Sequence, residues 1–252
     1  MEPTALRPHL AAIRRGGRSR SGLVLFRRSV SQRSMPSQFG YWTIRGWGQA
    51  PRLLLELVGE DYVDDRVDLV NGEEKYFEEK KKNPHELPFP NLPYYNDGDI
   101  RLTQSMAILR YLARKYNMGA TTEEETRQLD MLEGVVQDTR LYFFDICHGT
   151  AENYKLNLAA VAERSAMFYK LLDDYLGPRR WFLGERITYV DVMAYDSMSN
   201  WLAMKPELLN GCENLKRLMK RFEALPNIKK YMESGRFIAW PINGKDAHFS
   251  FK

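Results

Sequence analysis

The sequence has few residues of the types that build metal centres and disulfide frameworks. Its 252 residues include two cysteines, Cys147 and Cys212, and four histidines. The cysteines are too few for a disulfide framework and lack the CxxC spacing of a redox or zinc motif. The histidines are scattered and form no HExxH or paired-ligand pattern. We therefore predict no metal site and expect the protein to reside in a reducing compartment.

Long apolar segments are also missing. Unbroken apolar stretches such as 23–26 and 53–55 are far shorter than the roughly 20 residues that cross a bilayer. No membrane-spanning helix is therefore predicted. A hydrophobic fraction of 44% and a charged fraction of 28% exclude wholesale disorder and collagen-like architecture. This length and composition suit one large or two modest domains.

Charge is unevenly distributed along the chain. Residues 1–34 form a leader with eight arginines and one acidic residue, whereas the remainder has 29 basic and 32 acidic residues. The leader lacks the apolar region and the cleavage site of a secretory signal. It can be an upstream extension before a second start at Met35, a mitochondrial transit peptide, or a basic arm for nucleic acid or anionic lipid. We favour the extension, expect the leader to be disordered, and predict no nucleic-acid or membrane partner.

The first part of the body alternates between strand and helix signals. Residues 38–44 are aromatic and β-branched, which is typical of a strand. Pro51 and Gly59 then mark the start and the end of a leucine-rich helix. A second strand is predicted over 62–70, and the polar residues 71–86 are expected to form a loop or a short helix. This order indicates a βαβ unit.

Two further strands and a helix complete a small α/β domain, predicted over 36–118. The Asp-Gly pair at 97–98 predicts a tight antiparallel hairpin between residues 91–95 and 100–103. Ser105 occupies a helix-cap position ahead of apolar residues at helical spacing.

Residues 123–252 indicate an all-helical domain with a C-terminal tail. Capping boxes at Thr121 or Thr122 open this region. Apolar residues then recur at spacings of three and four, which predicts four or five helices. Thr188 and Asp191 match another capping box, to which we assign a structural role. The predicted fold class is therefore α/β followed by all-α.

Five motifs lie in order along the body. They are GYW at 40–42, RLLLE at 52–56, FPNLPY at 89–94, TQSMAI at 103–108 and GERITYVD at 184–191. Together they resemble the motifs of cytosolic glutathione transferases of the mu class. The resemblance implies a thioredoxin-like N-terminal domain, an all-helical C-terminal domain, and a cytoplasmic homodimer with its active sites near the interface. The location would instead be mitochondrial if the leader acts as a transit peptide.

The same resemblance implies a set of site residues and a reaction with hydrophobic electrophiles. Reduced glutathione would be a co-substrate, with no permanently bound cofactor. The catalytic tyrosine corresponds to Tyr41, and a phenol with a pKa near ~10 remains a hydrogen-bond donor at neutral pH. The residues that would hold glutathione are Trp42, Lys81, Lys82, Asn91, Leu92, the cis-proline Pro93, Gln104, Ser105 and, across the dimer, Asp138. The residues that would line the electrophile pocket are Trp47, Gly48, Arg140, Phe144 and His148, with Trp240 of the tail as a further candidate.

Two positions depart from the family pattern. Tyr76-Phe77 stand where the family has a tryptophan, and His148 stands where some members have a second tyrosine. The cation near glutathione comes from one of the lysines 80–82, with Lys81 or Lys82 preferred. These departures keep an alternative function open, a ligandin-type carrier of hydrophobic ligands with little activity.

Overall fold

The computed structural model describes residues 36–69 and 72–250. The leader predicted over 1–34 lies outside the described residues. The strands are β1 (Ser37–Trp42), β2 (Tyr62–Val67), β3 (Tyr94–Asp97) and β4 (Ile100–Thr103). The helices are α1 (Gln49–Val58), α2 (Glu73–Lys82), α3 (Ser105–Lys115), α4 (Glu123–His148), α5 (Ala151–Leu176), α6 (Tyr189–Met204), α7 (Glu213–Glu223) and α8 (Pro226–Met232).

The four strands form one mixed sheet in the order β2-β1-β3-β4. Strand β1 is parallel to β2 and antiparallel to β3, and β3 is antiparallel to β4. The parallel pair needs a crossover, which α1 provides. Gly98, with φ of 57°, lies in the two-residue turn between β3 and β4, so the predicted hairpin is confirmed.

Helices cover both faces of the sheet. Phe39 and Tyr95 are fully buried and belong to the main core together with apolar residues of α1 and α3. On the other face, Tyr76 and Lys80 of α2 line a small cavity with Tyr94. Helix α2 has no buried residue. It therefore contributes little to the core.

Five helices, α4 to α8, form the C-terminal part, in agreement with the predicted four or five. Twelve of the sixteen residues of α6 are buried, so this helix lies at the centre of the bundle. The carboxylate of Asp191 accepts hydrogen bonds from the Thr188 N–H and hydroxyl, both at 2.8 Å, and from the Phe182 N–H at 2.9 Å. The structural role predicted for Thr188 and Asp191 is thereby confirmed. Among the described helices, none is long and apolar enough to cross a membrane.

Several element boundaries differ from the sequence predictions. The second strand ends at Val67 rather than at 70, and the polar stretch after it contains the ten-residue helix α2. Gln104, not Ser105, is the N-cap of α3, so the prediction of Ser105 as the cap is wrong by one residue. Gly59 ends α1 in the left-handed conformation, as predicted.

Candidate active site

Three chain segments end at the same edge of the sheet. Gly40 of β1 lies opposite Tyr94 of β3, and Tyr94 lies opposite Thr103 of β4. Because β3 is antiparallel to both neighbours, the C-terminal ends of β1 and β4 lie beside the N-terminal end of β3. The residues one position beyond this row are Tyr41, Pro93 and Gln104. The sheet register thus brings the predicted tyrosine, the predicted cis-proline and the start of α3 to one edge.

Tyr41 is held in place by the loop that follows β1. Its side chain is 5% exposed, and its hydroxyl accepts a hydrogen bond of 3.0 Å from the Trp47 N–H. A Cβ atom added at Gly46 would lie 2.5 Å from the Tyr41 hydroxyl oxygen, and one added at Gly48 would lie 2.7 Å from Tyr41 Cγ. Gly46 also has φ of 42°. Glycine at both positions therefore lets the loop close tightly over the ring.

The environment of Tyr41 keeps its phenol protonated. Burial raises its pKa to about 12, while the Trp47 N–H and the charges of Arg52 and Arg140 oppose that rise. Since the oxygen accepts from Trp47, the hydroxyl hydrogen remains available for donation. The site can therefore offer a neutral hydrogen-bond donor to an anion across the physiological pH range.

The predicted glutathione residues at this edge have suitable backbone geometry. The Leu92–Pro93 peptide bond is cis, in agreement with the resemblance. Asn91 is exposed and Leu92 is partly buried beside it. Gln104 has φ of 73° and makes no side-chain capping bond to α3. The first N–H groups of that helix are consequently available to a carboxylate.

The structure distinguishes among the three predicted lysines. Tyr76 packs edge-on against Trp42, with ring centroids 4.7 Å apart. Lys80 lies over the Tyr76 ring, 6.0 Å from its centroid, and lines a cavity of about 50 Å³ that Asn91 also lines. Lys81 instead pairs with Glu78 at the surface, at 3.1 Å.

The preference for Lys81 or Lys82 stays a prediction. Lys82 is exposed and is the last residue of α2. Of the three lysines, Lys80 is the one that lies over Tyr76 and lines the cavity beside Asn91.

The predicted electrophile residues converge on one wall. Arg140, Phe144 and His148 are spaced by four along α4, so they share one face of that helix. The Trp47 ring stacks on Phe144 with centroids 4.1 Å apart, and the Arg140 guanidinium lies 4.9 Å from the Trp47 centroid. The His148 ring is 5.9 Å from that of Phe144, and its Nδ1 lies 2.9 Å from the Phe144 carbonyl oxygen. Together with Gly48, these residues form an aromatic surface beside Tyr41.

The C-terminal tail supports the loop rather than this aromatic surface. The N–H groups of Arg45 and Gly46 donate to the carbonyls of Pro241 and Ile242, at 3.0 and 2.9 Å. Trp240 packs edge-on against Phe249, with centroids 5.7 Å apart, and makes no ring contact with Trp47 or Phe144 among the described residues. Its predicted contribution to the pocket stays a prediction.

The remaining candidates lie away from the edge of the sheet. Asp138 is exposed on α4, where a partner subunit could reach it. Cys147 is fully buried, and burial raises the pKa of its thiol to about 12, so it is a packing residue rather than a nucleophile. Within the described residues, no group of three or more His, Cys, Asp or Glu side chains could hold a metal ion.

Sequence reasoning gave no role to two charged residues next to the site. Arg45 and Asp196 are only 8% and 1% exposed, although they are charged. Asp196 lies in α6, which is buried almost all round. A carboxylate within such an apolar helix is the signal that could have identified it.

Two family models match the chain over separate segments. The N-terminal domain of glutathione S-transferases matches residues 37–114, and the C-terminal domain matches residues 137–235. Glutathione S-transferase Mu 1 of Mus musculus is 40% identical over 224 residues, which cover 86% of this chain and 100% of the relative. The class-mu 26 kDa isozyme 51 of Fasciola hepatica is 38% identical, with 85% of this chain and 96% of that protein covered.

A solved structure agrees with these matches. The glutathione S-transferase Blo t 8 superposes with a TM-score of 0.77 at 29% identity, and the match covers 84% of this chain and 99% of that one. The four-stranded sheet with α1 to α3 is thus a thioredoxin-like N-terminal domain, and α4 to α8 form the all-helical C-terminal domain of these proteins. Both family domains match, and so does a mu-class relative over its full length. The chain therefore belongs to the glutathione S-transferase family of transferase enzymes and is similar to the mu class.

Proposed function

We propose that the protein conjugates reduced glutathione to hydrophobic electrophiles and that Tyr41 stabilises the glutathione thiolate. The observation that carries this proposal is the state of the Tyr41 hydroxyl. The hydroxyl accepts the Trp47 N–H, which leaves its own hydrogen free for donation, and burial raises its pKa, which keeps it protonated at neutral pH. Tyr41 lies at the edge where the cis Leu92–Pro93 bond and the start of α3 lie.

The chemistry follows from the acidity of a thiol. A free thiol has a pKa near ~8.5, so only a few per cent is ionised at pH 7. A hydrogen bond from Tyr41 to sulfur stabilises the ionised form, and the thiol proton leaves to solvent. The sulfur electron pair then forms a bond to an electrophilic carbon. In a substitution the leaving group departs with its bonding pair, and in an addition the carbon chain takes up a proton.

Glutathione would bind along the edge of the sheet. The Leu92 backbone would pair with the cysteinyl part, next to the cis Pro93. Gln104 and Ser105 would hold the γ-glutamyl carboxylate at the N-terminus of α3, which favours negative charge. Further predicted contacts come from Trp42, Asn91, the lysines 80–82 with Lys80 best placed, and Asp138 of a partner subunit.

The electrophile would lie on the aromatic surface beside Tyr41. The Trp47 and Phe144 rings stack on each other, and the partly exposed Trp47 would supply the apolar contact for a planar substrate. Gly48 packs directly against the Tyr41 ring, where a side chain would not fit. The Arg140 guanidinium packs against the Trp47 ring, and His148 is exposed near the end of α4. This composition favours aromatic or other apolar electrophiles over charged ones.

The proposal includes a homodimer. Phe89, just before the cis-proline segment, is 73% exposed. A cavity of about 180 Å³ between α4 and α5 is lined by Met131, Val135, Leu171 and neighbouring apolar side chains. A large exposed aromatic and an open apolar cavity suit two-fold pairing, in which each Phe89 enters the cavity of the other copy.

A cytoplasmic location is part of the same proposal. Cys147 and Cys212 are both free and buried, which suits a reducing compartment. Mass spectrometry of the endogenous N-terminus would test it. Removal of the segment 1–34 inside mitochondria would indicate a transit peptide instead.

The experiment that tests the function compares wild type with Tyr41→Phe. Loss of a hydrogen bond to a charged sulfur costs about 1.5 to 3 kcal/mol, so turnover of a chlorinated dinitrobenzene at pH 7 should fall about 10- to 100-fold. Tyr62→Phe is the matched control. Its hydroxyl donates to Glu56 at 2.9 Å, and it starts β2 at the opposite end of the sheet.

Two results would contradict the proposal. Unchanged turnover in Tyr41→Phe would show that the phenol does not act on sulfur. Submillimolar glutathione binding by the wild type with negligible turnover would instead support the ligandin-type carrier.

A further inference from the structure

A buried cluster of unequal charge lies beside the Tyr41 loop. Arg45, Arg140 and Asp196 are 8%, 2% and 1% exposed, and they provide two positive charges and one negative charge. Burial of an unbalanced charge is costly, and a fold does not need it for stability. The excess positive charge is therefore available to an anion in the adjoining site.

Arg140 has hydrogen-bonding capacity that its neighbours do not use. Its Nη1 donates to Gln137 Oε1 at 3.3 Å and to Met106 Sδ at 3.8 Å. Its Nη2 lies 3.6 Å from Asp196 Oδ2, which is an ion pair but not a hydrogen bond. Within the described part of the chain, Nε and Nη2 of Arg140 and Oδ2 of Asp196 have no hydrogen-bond partner.

Arg45 is held mainly by neutral groups. Its Nε donates to the Ile238 carbonyl at 3.1 Å, and its Nη1 donates to Ser199 Oγ at 3.0 Å and to Asn200 Oδ1 at 3.4 Å. Asp196 also attracts this guanidinium. One carboxylate is thus shared by two guanidinium groups.

The pair acts on Tyr41 with opposite signs. The charge of Arg140 lowers the pKa of Tyr41, and the charge of Asp196 raises it. The other ionisable groups that face the cluster are Arg52 of α1, Tyr169 of α5, Tyr195 of α6 and Tyr231 of α8. Within the described residues, Asp196 is the carboxylate whose charge acts on Tyr41, Arg45 and Arg140 alike.

We propose that Arg140 and Asp196 form an electrostatic positioning pair for the glutathione sulfur. Arg140 supplies a buried positive charge that favours the ionised sulfur. Asp196 limits that charge and fixes the guanidinium below Trp47. This inference rests on the proposed function, because it concerns the same sulfur.

Arg140 acts through the electric field and not by touching the substrate. It is almost fully buried, and the Trp47 ring covers it at 4.9 Å. In a water-poor site the interaction between two unit charges is only weakly screened. Arg140 and Asp196 are consequently positioning residues, whereas Tyr41 makes the contact with sulfur.

The test measures the pH at which bound glutathione ionises, from the ultraviolet absorbance of its thiolate without any electrophile. Arg140→Met should raise the pKa of the bound thiol by about one unit, leaving about tenfold less thiolate below that pKa. An effect of this order is expected when a nearby buried unit charge is lost at an effective dielectric constant near 20. Burial raises the pKa of Asp196 to about 6, so Asp196→Asn should lower the thiol pKa through the charge that Asp196 carries above about pH 6. Arg140→Lys should keep the thiolate content within about threefold of wild type.

The double variant Arg140→Met/Asp196→Asn removes one charge of each sign and should return the thiol pKa towards the wild-type value. Arg179→Met is the matched control, because Arg179 donates to the carbonyls of Leu176 and Phe182 and lies outside this cluster. The pKa of the glutathione thiol bound to Arg179→Met should equal the wild-type value, even if this variant is less stable.

A purely structural role would move the single variants in the same direction or leave the thiol pKa unchanged, and either result overturns the proposal. If Asp196→Asn does not fold, Arg140→Met decides alone, since an unchanged pKa refutes the field effect. Tyr41→Phe separates the two claims. A wild type without thiolate absorbance would overturn the proposed function itself, whereas a shift in Tyr41→Phe with none in Arg140→Met overturns only this inference.

Discussion

Replacing Gly48 by alanine is expected to displace the Tyr41 ring. The new methyl group would lie 2.7 Å from Tyr41 Cγ, and Tyr41 is buried and cannot swing into solvent. Carbon atoms pack at about 3.5 to 4.0 Å, so the ring or the loop must move by about 1 Å. The hydrogen bond from the Trp47 N–H, at 3.0 Å, would be lengthened or lost with that movement.

The size of the effect differs between stability and activity. Overpacking of this kind costs about 1 to 3 kcal/mol of unfolding free energy. A misplacement of about 1 Å at a reacting group can lower turnover about 100-fold. Activity should therefore fall far more than stability does.

Gly235→Ala is the matched control for this substitution. No atom lies within 4 Å of a Cβ added there, and its φ is not positive. It should stay within about 0.5 kcal/mol of wild type. Turnover of a chlorinated dinitrobenzene and urea unfolding would be measured for both variants.

Wild-type turnover in Gly48→Ala would refute the argument that the glycine loop fixes the phenol. Equal losses in Gly48→Ala and Gly235→Ala would point to a general effect of alanine in loops. A stability loss without an activity loss would show that the ring can shift freely.

Three other outcomes are expected. Asp191→Ala leaves three buried donors unpaired at about 1 to 3 kcal/mol each, so urea unfolding should show a loss of roughly 3 to 9 kcal/mol, and a loss below about 1 kcal/mol would contradict the capping role. Phe89→Ser should shift the protein towards monomer in analytical ultracentrifugation, whereas Phe77→Ser, on the half-exposed face of α2, should not. Because burial raises the pKa of Tyr41 to about 12, its phenolate absorbance should not appear below about pH 11, and earlier ionisation would show an exposed ring.

Much of the fold can be predicted from local patterns. The Asp-Gly turn, the left-handed Gly59 and the capping role of Asp191 depend on residues within a few positions of one another. The sequence predicts a loop or a short helix for the segment that forms α2, because this polar helix buries no residue and has no apolar face to recognise. The shift from Ser105 to Gln104 as the cap reflects the unusual φ of 73° at Gln104, which no residue preference indicates.

The candidate site was predicted in part. The motifs indicated Tyr41, the cis Pro93 and the start of α3, and the sheet register brings them to one edge. The choice among lysines 80–82 required the rotation of α2 over the sheet, which places Lys80 rather than its neighbours inward.

The sequence by itself determined the order of strands and helices along the chain and most of the turn and cap positions. These features follow from backbone preferences and from contacts between residues close in the chain. Only the tertiary structure decided that Asp196 of α6 faces Arg140 of α4 beneath Trp47. The reason is physical, because the energy of a buried charge depends on which distant side chains surround it, and no local pattern encodes those distances.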